Sequence, residues 1–437
     1  MSAEEPDLER YRTQMERCYR CSLCKWVPIT QVKGWRFAQN CPAILKYHFH
    51  AYSGGGKVIA ALGLLEGKYG ITEEFVRVVY RCSLCGACDL ACKIVLGERM
   101  EPLEILHELR KKFFRDGKIP ERHGKLVEDT LKYGNPYAEP RERRGEWARG
   151  LGVEGREKPE VLYFAGCTPS YRLPSVARNT VRLLKGAGVS FGILGEEETC
   201  CGSPLYKIGA EEAFREQVKK NLEGFDRLGA ETLVTQCAGC YHMFKAVYPE
   251  VEGMDLEVLH LSEYVERLLE EGRIRFTKEM PLKVTWHDPC HLGRLGERRP
   301  RWEGREVKRY GQMILTEPRK KVAYGKEGVY EPPRRILGAI PGVSLLEMQR
   351  IREFSFCCAA GGGVRAAYPE LARFGARERL EEARATGAEA LVTCCPFCEL
   401  NFLEALEEGG GGMRVMDLTE LVLGAMGEES QGLEIRR

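Results

Sequence analysis

A chain of 437 residues, 43% of them apolar, is long enough for roughly three domains that each bury a core. Its 66 basic and 64 acidic residues leave a formal charge of +2, which excludes the strongly basic balance of a nucleic-acid binder. The opening residues are polar with no apolar targeting core, and no run of about 18 apolar residues is present to span a bilayer. The expected location is the cytoplasm, with any approach to the inner face of a membrane made through a partner. Nineteen cysteines are the anomaly, because a reducing compartment turns such a number toward metal binding or redox chemistry and away from disulfides.

Residues 1–115 carry the first eight cysteines among helical patterns. From Glu101 to Leu109, Pro102 sits near a helix start and Leu103, Leu106 and Leu109 recur at helical spacing, so an α-helical domain is predicted. Cys82, Cys85, Cys88 and Cys92 have the spacing in which three thiolates close on one cube and the fourth reaches a neighbouring cluster. Cys18, Cys21 and Cys24 repeat the first part, and Cys41-Pro42 follows after sixteen residues. Crossed ligation then gives one 4Fe-4S cluster to Cys18, Cys21, Cys24 and Cys92, and a second to Cys82, Cys85, Cys88 and Cys41. Zinc is the alternative, but closed four-ligand zinc sites use paired CxxC units and gain nothing from a third cysteine at that spacing. Trp26, Trp35 and Phe37 are expected to shield a cluster. Gly54-Gly55-Gly56-Lys57 only superficially resembles a phosphate loop, since Val58 stands where a hydroxyl residue is needed.

Residues 116–158 lack cysteine and are rich in charge, Gly and Pro, the composition of a linker lying along a surface. From residue 159 short β-rich runs alternate with helical ones, beginning with Val161 to Ala165 and Val176 to Leu184, which predicts α/β structure with a parallel sheet. Residues 229–244 and 387–402 match at nine of sixteen positions, so this half is duplicated, over 159–280 and 281–427. The first copy contributes Cys167, Cys200, Cys201, Cys237 and Cys240; the second contributes Cys290, Cys357, Cys358, Cys395 and Cys398, leaving Cys394 over. Cys167, Cys237, Cys290 and Cys395 each follow a predicted strand, and sites in open α/β sheets form beyond the strand carboxyl ends, so each five-cysteine set is expected at one edge. The segment from Leu295 to about Gly328, which includes Arg298, Arg299, Arg301, Arg305, Lys308 and Arg309, reads as a solvated basic insertion.

The tandem Cys-x-CC-x-CxxC pattern resembles the cysteine-rich (CCG) repeat of the heterodisulfide reductases, and with the N-terminal cysteines the chain resembles their catalytic D-subunit family. The second copy's His287-Asp288-Pro289-Cys290-His291-Leu292-Gly293 and Cys357-Cys358-Ala359-Ala360-Gly361-Gly362-Gly363 are similar to motifs of that family. The resemblance implies an α+β multidomain protein with an α-helical ferredoxin-like domain followed by a duplicated α/β domain. It also implies a noncubane 4Fe-4S cluster in one or both five-cysteine sets, beside the two cubane clusters. Chemistry is then expected at Cys200, Cys201, Cys357 and Cys358, with His287 and His291 donating hydrogen bonds to cluster sulfur or a proton to a leaving thiolate, or serving only as core residues. Two departures bear on the second site: Ala359 stands where the motif has glycine, and 66 residues separate Cys290 from Cys357 where 32 separate Cys167 from Cys200. The implied activity is electron transfer from the ferredoxin-type clusters to sites that reduce a disulfide. The alternative is a conduit for a flavin-dependent 2-hydroxy acid or glycerol-3-phosphate oxidising complex, or for a benzoyl-CoA reductase-type complex. Implied partners are a flavoprotein or a cytochrome b-type membrane protein and other iron-sulfur subunits, with no nucleic acid.

Overall fold

The computed structural model describes residues 7–97, 100–153, 158–298, 302–311, 313–409 and 412–436. Arg299 and Arg301 of the basic insertion lie outside them. The N-terminal part is helical, with its longer helices at Gly54–Leu65, Glu73–Tyr80, Ala87–Leu96 and Pro102–Arg115. Leu106, Leu109 and Phe113 of the last are buried, as the helical spacing requires.

The duplicated half is two parallel sheets of one topology. In the first, β1 (Val161–Tyr163), β2 (Phe191–Gly192), β3 (Thr232–Thr235) and β4 (Glu257–His260) lie in the order β2-β1-β3-β4. The second copy opens with β5 (Leu282–Trp286). An antiparallel hairpin, β6 (Arg305–Arg309) with β7 (Met313–Glu317), occupies the basic insertion. Then β8 (Val343–Leu345), β9 (Ala390–Thr393) and β10 (Arg414–Asp417) complete a sheet in the order β10-β9-β5-β8. In each copy the first strand pairs with the second and the third, and the fourth closes the edge beyond the third.

The sheets share a core in which Val161, Tyr163 and Val234 pack with Val284, Trp286 and Val392. His260, at the end of β4, joins their carboxyl ends: Ser262 N donates to its Nδ1, which leaves the proton on Nε2, 3.0 Å from the carbonyls of both Gln236 and Cys394. The two copies therefore meet where their cysteines emerge.

The segment 116–158 is more than a surface connector. It holds the helix Glu121–Tyr133, and the Gly134 carbonyl accepts from Cys200 N at 2.8 Å. Its Arg144 is buried and paired with the buried Glu198 at 2.6 Å. Glu198 in turn accepts from the backbone of Ala165 and Gly166, both at 2.9 Å, so this ion pair fixes the turn that leads from β1 into Cys167.

Candidate metal centres

All nineteen cysteines are free thiols. In the helical part they gather as two sets. Cys18, Cys21, Cys24 and Cys92 line one cavity and Cys41, Cys82, Cys85 and Cys88 line another, the crossed arrangement expected from their spacing. The amino end of the helix Gly54–Leu65 lies between them. A β-carbon on Gly54 would stand 2.8 Å from Cys88 Cβ and 2.9 Å from its Sγ, while Gly55 N donates to Cys24 Sγ at 3.3 Å. The glycine run is thus a close approach of helix to thiolate, with the positive end of the helix dipole aimed at the cysteines. A phosphate loop is the only function its composition suggests; the signal for its real role is its position between the two CxxCxxC segments.

The expected aromatic shield does not form. Trp35 is 78% exposed, Phe37 is packed beneath the guanidinium groups of Arg36 and Arg350, and neither they nor Trp26 line either cavity. Arg36 is drawn outward to Glu378 at 2.7 Å, turning this loop toward the second repeat.

Burial pushes up the thiols of Cys18, Cys41, Cys88 and Cys92, to about 11 at Cys41 and about 12 at Cys92. Cys85 goes the other way, to about 5: a hydrogen bond with Cys357, and then the buried Arg294, outweigh its burial. Burial alone therefore keeps most of these thiols protonated, and a thiophilic cation bound between four of them would draw off their protons and supply the charge the thiolates need. The donor set is all sulfur, which fits iron-sulfur clusters.

The Cys82 set abuts the second repeat. Its cavity is also lined by Ala359, Val364 and Leu371. Ser83 Oγ lies 3.6 Å from Cys357 Sγ, and Cys85, Cys290 and Cys357 pack as one buried cluster. Within the second set, Cys290 Sγ is 3.7 Å from Cys357 Sγ, and Cys358 Sγ is 3.3 Å from Cys398 Sγ. All ten cysteines of the two repeats line a single cavity of about 330 Å³ between them. Arg122, Lys125 and Tyr137 from the connecting segment, and Lys207, His291 and Arg365, complete its wall. Cys394 is buried and absent from that wall.

Ala359 adopts φ +69°, matching the +77° of Gly202 in the first copy. Gly202 N lies 3.4 Å from Cys200 Sγ, and Ala359 N 3.3 Å from Cys357 Sγ. The methyl is accommodated because the helix opposite has small residues. Phe214 and Gln217 crowd Gly202, whereas the corresponding positions in the second copy are Ala372 and Gly375, and a β-carbon on Gly375 would stand 2.4 Å from that of Ala359.

The two copies differ in what meets their sulfurs. In the first, Arg144 Nη1 donates to Cys167 Sγ at 3.5 Å; burial opposes its charge, but Cys167 and Glu198 hold the guanidinium fully protonated. In the second, a ring nitrogen of His287 lies within 4.8 Å of the Cys358 and Cys398 sulfurs. Arg379 donates to His287 Nδ1 at 3.1 Å, which leaves the proton on Nε2, the nitrogen available to Cys358. His291 Nδ1 is 3.3 Å from Cys290 Sγ. Burial lowers both histidines, so both are neutral. Phe164 occupies the place of His287 in the first copy, following β1 as His287 follows β5.

The chain is 33% identical over 427 residues to the D subunit of the dihydromethanophenazine:CoB–CoM heterodisulfide reductase of Methanosarcina mazei, covering 96% of this chain and 95% of that protein. The chain belongs to the heterodisulfide reductase D-subunit family. Residues 14–95 match the 4Fe-4S dicluster domain, and residues 161–245 and 317–403 each match the cysteine-rich domain. The second cysteine-rich match begins within β7, so the basic insertion separates Cys290 from it. The B subunit of the fumarate reductase (CoM/CoB) of Methanothermobacter marburgensis is 30% identical over 79% of the chain, which spans 61% of that relative. The EtfAB:quinone oxidoreductase of Syntrophomonas wolfei is 29% identical over 80% of the chain, which spans 46% of it. A hypothetical protein from Helicobacter pylori shares the fold, with a TM-score of 0.50 over 86% of this chain and 68% of that one at 11% identity. The family is thus one of iron-sulfur electron-transfer subunits of multi-subunit oxidoreductases, and among the described residues no helix is long and apolar enough to cross a membrane.

Proposed function

We propose that this protein is the disulfide-reducing subunit of such a complex. Cys18, Cys21, Cys24 and Cys92 hold one cubane 4Fe-4S cluster, and Cys41, Cys82, Cys85 and Cys88 hold the other. The five-cysteine sets built on Cys200-Cys201 and on Cys357-Cys358 each hold a noncubane cluster. The observation that carries this reading is the single cavity faced by all ten cysteines of the repeats. Two separate conduits would have no use for a shared space of about 330 Å³ between them.

When bound, the clusters supply one-electron conduction, and at the cavity two electrons and two protons convert a disulfide into two thiols. The protein's own residues set the order. The Cys18 set reaches the surface at Cys21, and the Cys82 set touches Cys357 and Cys290, so clusters held there would offer electrons to the second repeat first. His287 orients its Nε2–H toward Cys358 by taking a hydrogen bond from Arg379, and Arg144 places a fixed positive charge on Cys167. Lys125 is paired with Asp129 and Arg365 with Glu404; Arg122 and Lys207 are the wall cations that suit the cavity to a disulfide with an anionic end. Electrons come from a flavoprotein or a cytochrome b-type partner.

The test is anaerobic reconstitution followed by EPR. About sixteen iron atoms per chain are expected, along with a paramagnetic signal that appears only when an oxidised sample meets thiol or disulfide. About eight irons, or spectra indifferent to every thiol and disulfide tried, would leave the chain a conduit without chemistry of its own.

A further inference from the structure

From Arg17 to Leu65 the chain contains no Asp or Glu, although it carries seven Lys and Arg there and the whole chain is nearly balanced. Some of these cations have partners: Arg17 pairs with Glu306 of β6 at 3.2 Å, Arg36 with Glu378, and Lys57 is buried. Arg20 and Lys25 form no ion pair among the described residues. Both lie beside the Cys18 set, Arg20 in the wall of its cavity and Lys25 next to Cys24.

The same mouth is apolar. Tyr19 (69% exposed), Leu23 (43%) and Val95 (50%) line it, and Phe49 (64%) and Ile94 (44%) stand beside its wall residues His50 and Val95. These are five of the eleven large apolar side chains left exposed in the described structure. Tyr19, Leu23 and Val95 share that wall with Cys21, the one exposed cysteine of the chain. No other cysteine set offers such a face, since the Cys82 set is covered by the second repeat.

We propose that this face is the docking surface for a redox protein whose own electron-exit site has an apolar centre and an acidic rim. The inference rests on the reading that the Cys18 set holds a cluster. An apolar centre excludes water and brings two redox groups close, and a rim of one charge speeds and orients encounter. The concentration of the patch around the most exposed thiolates favours a protein that must deliver an electron there over a lipid surface, which would have no reason to centre on Cys21.

The experiment uses the reconstituted full chain and an acidic two-cluster ferredoxin as probe, with photoreduced 5-deazariboflavin as a small uncharged reductant for comparison. Stopped-flow reduction by the ferredoxin is expected to slow about tenfold or more at low ionic strength in Arg20→Glu/Lys25→Glu relative to reduction by deazariboflavin, whose rate carries any change these substitutions make in the cluster itself. The wild-type ferredoxin rate is expected to fall with added salt toward that of the variant. Tyr19→Ser/Phe49→Ser, which leaves the charges alone, is expected to slow the ferredoxin reaction without removing its salt dependence. Equal ferredoxin rates in wild type and charge variant, both with full iron, would overturn the docking surface and leave the cluster reading intact. Absence of iron from the Cys18 set in the wild type would overturn both. Flotation with phosphatidylglycerol vesicles that is lost in Arg20→Glu/Lys25→Glu, with the ferredoxin rate unaltered, would assign the face to a membrane and overturn the proposal.

Discussion

Replacing Gly54 by alanine should damage the N-terminal metal sites, and replacing its neighbour Gly55 should not. A β-carbon on Gly54 would stand 2.8 Å from Cys88 Cβ, well inside the separation of about 3.5–4.0 Å at which carbons attract. One on Gly55 would meet Cys24 and Cys18 Sγ at 3.5 and 3.6 Å, ordinary contact. Overpacking of the first kind costs about 1–3 kcal/mol, and both substitutions gain at most about 1 kcal/mol from stiffening the unfolded chain. Gly55→Ala should therefore be neutral or slightly stabilising, and Gly54→Ala should displace Cys88 from its set. The assay is iron content and EPR after anaerobic reconstitution, with urea midpoints measured in parallel. Gly54→Ala is expected to lose about four irons with the repeat clusters retained. If the two variants had the same iron content and the same cubane signals, the account of the glycine run would be wrong.

Arg144→Ala should leave Glu198 buried without its cation and cost about 3–5 kcal/mol, read from denaturant unfolding; an effect below about 1 kcal/mol would show that the pair does not anchor the Cys167 turn. His287→Phe copies the first repeat, where Phe164 stands, so iron should be retained while the cluster built on Cys357-Cys358 shifts to a lower potential in an EPR-monitored titration. An unchanged potential would mean that His287 does not reach cluster sulfur. Burial holds His107 down to about 3, and His123 and His260 to about 4. In the unfolded chain these rings take up protons near pH 6.5, so between there and about 4 the unfolded state binds more protons than the native one. Their contribution is complete above about pH 6.5 and is lost as the pH falls, by up to about 1.4 kcal/mol per unit for each ring. Urea unfolding from about pH 7.5 to about 5.5 should show this loss, and a smaller loss in His260→Asn. A flat profile would contradict it.

The metal sets could be read from the chain because each rests on short-range spacing. CxxCxxC fixes three thiolates by local geometry, and a cysteine directly after a strand is placed by the sheet. Convergence of both repeats on one cavity is different: it depends on the packing of one sheet against the other through Trp286, Val161 and the His260 bridge, contacts with no local signature. The same is true of residues 116–158, whose composition reads as a linker while Arg144 and Gly134 hold the first site in place. Ala359 has the look of a defect in the sequence because its compensation, Gly375, lies sixteen residues away on the helix Pro369–Arg384. The aromatic residues before Cys41 mislead in the opposite direction, since the Arg36 to Glu378 ion pair carries that loop away from the clusters.

Diffraction from crystals of the reconstituted protein, recorded at the iron edge, addresses the ligand assignment most directly. The expected map has two compact iron centres crossed between the N-terminal motifs, with Cys92 on the Cys18 set and Cys41 on the Cys82 set, and one further centre on each side of the cavity between the repeats. Iron held by Cys41 on the Cys18 set, or a second repeat with no iron beside Cys357 and Cys358, would contradict it.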